Sequence, residues 1–236
     1  MTTTFPLFYH TRSPAFFAPT EKKPSLTLEE LTHILLQAAD ALQHAHNNGI
    51  VHRDVKPENF LLDFSTGKAL PDTVLTDFGM AKILDATMKL TQTGQFPGGT
   101  PQYVAPEQWK GMVTTGATDQ YALAIMAYRL LTGSFPFQGP NFPAYLWQHL
   151  NEEPVAPSSL KATITQEMDT VILRALSKDP RSRFPSIQDF AQAFQQAGNL
   201  FHQPTIVVAP PPQHSAVFAS NQPTFRRRVD GKKELQ

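Results

Sequence analysis

The chain has 236 residues, 41% of them hydrophobic, which is enough for one ordinary domain with tails. Its 20 basic residues balance its 20 acidic ones, so no overall field draws it to nucleic acid or an acidic membrane, and any such partner must be met locally. The absence of cysteine excludes disulfides, thiolate nucleophiles and zinc–thiolate sites, and the expected compartment is the cytoplasm.

Residues 1–23 carry scattered Phe and Pro without a basic start and an unbroken apolar stretch, so they read as an unassigned leader and not as a signal peptide. Thr27 followed by Glu30 has the form of a capping box. From there Leu28, Leu31, Leu35, Ala38, Leu42 and Ala45 recur at helical spacing until Gly49, predicting one long amphipathic helix. Phe60–Leu62 and Val74–Thr76 flank a Ser65, Thr66, Gly67 turn cluster and predict a small hairpin.

Asp119–Thr132 reads as a buried helix ended by Gly133, its run Tyr121–Ala127 falling far short of the roughly 20 residues of a membrane span. Met168, Val171, Ile172, Ala175 and Leu176 trace another helix. A third starts near Ser186, with Asp189 at its N-terminus and Gly198 closing it. Beyond it, residues 199–236 are Pro-rich and end in the basic cluster Arg226, Arg227, Arg228, Lys232 and Lys233. They read as an extended tail, solvated in preference to lipid- or nucleic-acid-bound. The expected class is mainly α with a small β-hairpin.

The chemistry concentrates in His52-Arg53-Asp54-Val55-Lys56-Pro57-Glu58-Asn59, followed by Asp77-Phe78-Gly79 and Ala105-Pro106-Glu107. Six prescribed residues in the first stretch alone would arise by chance at roughly one start position in tens of millions. Taken singly, His52 is a packed histidine, Asp54 a surface charge, Asp119 a helix N-cap, and Thr91 and Thr93 ordinary loop residues. Only the ordered set points to a site.

That set resembles the Ser/Thr protein kinases, in wording the bacterial eukaryotic-like type, over residues 24–198, which correspond to the C-terminal lobe of the domain. The resemblance implies transfer of the ATP γ-phosphate to Ser or Thr hydroxyls of a protein substrate, with ATP and Mg2+ as cofactors. Such transfer needs alignment and charge neutralisation more than covalent chemistry. Asp54 then orients the hydroxyl and takes its proton, Lys56 neutralises the moving phosphate, and Asn59 and Asp77 offer oxygens to the metal. Thr100 supports Asp54 and Lys56. Thr91 and Thr93, with Thr87 as a weaker candidate, are the expected regulatory phosphosites, and Arg53 pairs with the phosphate. His52 scaffolds the loop, Glu107 and Arg183 form a buried ion pair, and Asp119 accepts catalytic-loop N–H groups.

The family's Gly-rich loop, strand lysine and helix glutamate find no match: no glycine precedes Gly49, and only Lys22 and Lys23 precede Lys56. The small lobe therefore reads as missing, and activity of the chain alone is in doubt. A small-lobe-bearing or kinase partner chain is one expected way to complete the site. The alternative is a non-catalytic kinase lobe or pseudokinase fragment acting as a binding module; a lipid- or RNA-binding protein resting on the basic tail ranks below both.

Overall fold

A computed structural model describes residues 26–63, 69–78 and 101–201. The chain divides into two units, Met1–Gln203 and Pro204–Gln236, and every described residue belongs to the first. The expected leader, the Ser65–Gly67 turn, Gly79, Thr87, Thr91, Thr93, Thr100 and the basic tail lie outside the described residues.

Helix α1 (Leu28–Asn47) opens where the capping box places it. Glu30 N–H donates to Thr27 Oγ1 at 3.1 Å while Thr27 N–H donates to Glu30 Oε2 at 2.7 Å, so two otherwise unpaired N-terminal donors are satisfied reciprocally. Its inward face, Leu31, Ile34, Leu35, Ala38, Ala39, Leu42 and Ala45, is buried. After a 3₁₀ turn at Pro57–Asn59 comes an antiparallel hairpin of β1 (Phe60–Asp63) and β2 (Asp72–Leu75), with Phe60 opposite Leu75 and Asp63 opposite Asp72. The second strand starts two residues before the expected Val74 and ends before Thr76, whose N–H turns back to the Asn59 carbonyl at 2.9 Å. Side chains of α1 hold the hairpin: His33 bonds the Pro71 carbonyl and Gln37 accepts the Thr73 N–H.

The remaining α-helices among the described residues are α2 (Pro106–Trp109), α3 (Gly116–Thr132), α4 (Phe142–Asn151), α5 (Pro157–Leu160), α6 (Gln166–Ala175) and α7 (Ile187–Phe201). Helix α3 is the centre of the core. Every residue from Thr118 to Tyr128 is buried, and α1, α6 and α7 pack around it. A helix apolar on all sides is stable only when so enclosed.

Two helix boundaries differ from expectation, and one helix was not expected. Thr115 and not Asp119 caps α3, its Oγ1 accepting the Ala117 N–H at 3.3 Å, so the helix starts at Gly116 and Asp119 is released for other work. Gly198 does not close α7, which runs on to Phe201. Packing along α1 outweighs the roughly 1 kcal/mol by which a mid-helix glycine is disfavoured. Helix α4 has no clear periodic signature, because of its ten residues only His149 is buried. Among the described residues no helix is long and apolar enough to cross a membrane.

His149 is the polar centre of an aromatic cluster, with ring centroids of Phe137 at 4.8 Å and Tyr121 at 5.8 Å, and its Nδ1 meets the Tyr121 hydroxyl at 2.9 Å. Burial first, and then the Lys178 charge, push its pKa from the ordinary 6.5 down to about 3. The unfolded chain therefore binds a proton here that the folded chain refuses. The neutral imidazole's contribution is complete above pH 6.5 and is lost as pH falls toward 3, by up to ~1.4 kcal/mol per unit. Urea unfolding between pH 7 and pH 4 is expected to show a falling midpoint, with a shallower fall in His149→Gln.

Candidate active site

The site is built on the loop between α1 and β1. Its backbone hangs from one buried carboxylate: Asp119 Oδ2 accepts the His52 N–H at 2.8 Å and Oδ1 accepts the Arg53 N–H at 2.7 Å. His46, in the last turn of α1, donates Nε2–H to Asp119 Oδ2 at 2.7 Å. Charge-assisted bonds of this kind are roughly twice as strong as neutral ones. They hold Arg53 at φ 68°, a left-handed conformation that costs a non-glycine residue about 1–2 kcal/mol. His46 fits beside α3 because position 116 is glycine; a Cβ there would lie 2.7 Å from His46 Nδ1.

His52 is fully buried and acts as a strut. The Asp54 N–H donates to its Nδ1 at 3.3 Å, which leaves the proton on Nε2 to be donated to the Thr76 carbonyl at 2.9 Å. The loop is thereby tied to the end of β2. The Phe78 ring meets the His52 ring edge-on at 4.9 Å.

Asp54, Lys56 and Asn59 converge. Lys56 Nζ donates to Asp54 Oδ2 at 2.7 Å, and both side chains remain partly open, 19% and 21% exposed. The Asn59 amide donates to the Asp54 carbonyl at 2.7 Å and to its Oδ2 at 3.2 Å. With its nitrogen turned to Asp54, the Asn59 oxygen is the end available to a cation. Thr76 donates both its N–H, at 2.9 Å, and its hydroxyl, at 3.1 Å, to the Asn59 carbonyl, so the next residue, Asp77, is anchored one position from Asn59's partner. Asp77 is exposed and left-handed, φ 63°.

A second layer fixes the segment after Thr100. Gln108 donates to the Arg53 carbonyl at 3.1 Å and accepts the Ala105 N–H at 3.0 Å, joining α2 to the loop. Glu107 and Arg183 form a buried two-pronged pair at 2.8 and 2.9 Å, with Thr118 donating to Glu107 and Arg183 also reaching the Ala117 and Ser177 carbonyls. Burial pushes the Tyr103 hydroxyl up to about 12, against the Arg129 guanidinium that donates to it at 3.1 Å.

His46, Gln108 and Thr118 were not singled out from the sequence. The available signal for His46 was its place in the last turn of a helix leading into the loop; for Gln108 it was adjacency to Glu107.

The protein kinase domain family profile matches residues 8–196. The chain belongs to the protein kinase family. The match begins ahead of Pro24, the sequence boundary of the resemblance. Serine/threonine-protein kinase Pkn1 of Myxococcus xanthus is 46% identical over 164 residues, which are 70% of this chain and 23% of that protein. Serine/threonine-protein kinase PknB of Mycolicibacterium smegmatis is 41% identical over 152 residues, 64% of this chain and 23% of that protein. This kinase chain thus spans about a quarter of these curated relatives. The solved kinase domain of Mycobacterium tuberculosis PknI aligns at a TM-score of 0.53 and 31% identity, over 73% of this chain and 56% of that one. The relatives are of the bacterial eukaryotic-like Ser/Thr type, a family that in general uses ATP and Mg2+ and acts on proteins.

Proposed function

We propose that this chain carries the phosphoryl-transfer half of a Ser/Thr protein kinase site. The observation that carries the reading is the convergence on Asp54: a carboxylate partly open to solvent, with one oxygen braced by Lys56 and Asn59. In this reading its other oxygen accepts a hydrogen bond from an incoming Ser or Thr hydroxyl, orienting it and taking its proton late in transfer. Lys56 is drawn toward the same point and neutralises charge on the moving phosphate, and Thr100 supports the pair.

The donor set fits magnesium. The Asn59 oxygen and the Asp77 carboxylate are hard oxygen ligands too few for an all-protein cage, which suits an ion that keeps waters and phosphate oxygens. Bound there, the metal supplies charge neutralisation across the nucleotide phosphates. Thr91 and Thr93 are the proposed phosphosites and Arg53 the proposed partner of the phosphate. A small lobe roofing the nucleotide completes such a site. The proposed setting is cytoplasmic, in keeping with the lack of cysteine.

The test is calorimetric titration of the chain with ATP and magnesium beside an Asp77→Ala variant, with radiolabelled ATP on the same samples. Saturable binding lost in Asp77→Ala, with label on Thr91 or Thr93, is the expected result. No binding by a folded chain, even with a small-lobe partner added, would favour the binding-module reading, for which the exposed Phe78 beside His52 and the exposed Val74 on β2 provide apolar contact surface.

A further inference from the structure

The peptide that joins Arg53 to Asp54 is gripped at both edges. Its carbonyl accepts a hydrogen bond from the Gln108 side-chain amide at 3.1 Å, and its N–H, which belongs to Asp54, donates to His52 Nδ1 at 3.3 Å. A peptide unit is planar and rigid, so a grip on both edges fixes the soft dihedrals beside it, ψ of Arg53 and φ of Asp54. Those two angles set the direction in which the Asp54 side chain leaves the backbone. The Asp119 carboxylate holds the N–H groups of His52 and Arg53, which lie upstream of this peptide, and Asn59 holds the Asp54 carbonyl, which lies downstream. Gln108 supplies the closer of the two grips on the peptide between them.

Gln108 is suited to this by chemistry and by place. It is buried, and both ends of its amide are in use: the nitrogen donates to the Arg53 carbonyl while Oε1 accepts the Ala105 N–H at 3.0 Å. Methionine, of similar length, offers neither bond, and an ionised glutamate offers only the acceptor. The preceding residue, Glu107, is locked to Arg183 in the buried ion pair, so α2 is a fixed post and Gln108 the arm that reaches from it to the residue before Asp54. Gln108 makes no hydrogen bond to the Asp54 carboxylate, and its action is indirect.

We infer that Gln108 is a positioning residue for Asp54, acting through the Arg53 carbonyl. The inference rests on the proposed role of Asp54 in receiving the hydroxyl proton. Without the Gln108 donor the peptide tilts about its flanking dihedrals and carries the Asp54 carboxylate away from Lys56 and Asn59. A displacement of about 1 Å at a reacting group is enough to slow a reaction ~100-fold.

The experiment compares the full wild-type chain with Gln108→Glu and Gln108→Met at pH 8. NMR shifts and hydrogen exchange are read at the Asp54 and Ala105 amides, with the amides of α6 and α7 reporting that each variant is folded, and label transfer from ATP and magnesium gives kcat and KM. Gln108→Glu keeps the acceptor for Ala105 and loses the donor for Arg53, whereas Gln108→Met loses both. In both variants the Asp54 amide is expected to shift and to exchange about tenfold faster, and kcat to fall about 10- to 100-fold with little change in KM for ATP. The Ala105 amide is expected to be disturbed in Gln108→Met alone. A brace that served only α2 would leave Asp54 in Gln108→Glu as in the wild type; that result, or an unmoved Asp54 in both variants, would overturn the inference. A wild-type chain that transfers no label counts against the proposed function alone, and the Asp54 amide then decides the inference.

Discussion

Glu107→Ala is expected to destabilise the folded chain by about 3–5 kcal/mol, the usual consequence of stranding one partner of a buried ion pair. Arg183 has no route to water: its side chain is 0% exposed, and its guanidinium is enclosed by Glu107, the Ala117 and Ser177 carbonyls and the Tyr121 ring at 4.8 Å. Removing the carboxylate leaves a desolvated cation and takes away the acceptor of the Thr118 hydroxyl, whose oxygen still receives the Thr115 N–H. Against a total stability of roughly 5–15 kcal/mol for a domain, that loss brings unfolding within reach of mild denaturant. Glu107→Ala with Arg183→Met removes both charges and is expected to recover much of the loss. Urea midpoints of the wild type, the single variants and the double variant check the cycle, and a double variant no more stable than Glu107→Ala would argue against the ion pair as the source.

Asp119→Ala is expected to release the loop without unfolding the core. One carboxylate holds two loop N–H groups and the His46 ring, and hydrogen bonds to a charged group contribute about 1.5–3 kcal/mol each, so local opening becomes easier by about 3 kcal/mol or more. Hydrogen exchange reads this directly. The His52 and Arg53 amides are expected to lose roughly a hundredfold of protection, while those of α6 and α7 keep most of theirs. Uniform loss across the chain would mean that Asp119 serves the core and not the loop. Asp119→Asn, which keeps one acceptor, is expected to fall between.

Local signals explain why so much of the site was legible. The Asp54, Lys56 and Asn59 cluster lies within six residues, and a 3₁₀ turn at Pro57–Asn59 brings the last back onto the first, so identity and order nearly determine the contacts. Helix α1 was readable because its capping box and apolar stripe agree. Contacts made at long range were harder. The spacing of His46 and Asp119 does not reveal that the ring meets the carboxylate, since that depends on how α1 crosses α3 and on a glycine at 116. Asp119 looked like a cap because acidic residues favour helix starts, whereas Thr115 took that role four residues earlier. Helix α4 escaped because its aromatics do not keep to one buried face: Trp147 is exposed while Phe142 and Tyr145 are half-buried.

Among the described residues, two that are not glycine, Arg53 and Asp77, hold a left-handed backbone, and there durability and side-chain identity pull apart. Glycine would relieve each backbone of its strain, so anyone evolving this lobe for heat resistance alone should see both positions drift toward glycine. A charged side chain on a strained backbone at each of these points is a place where the fold is less robust than glycine would make it.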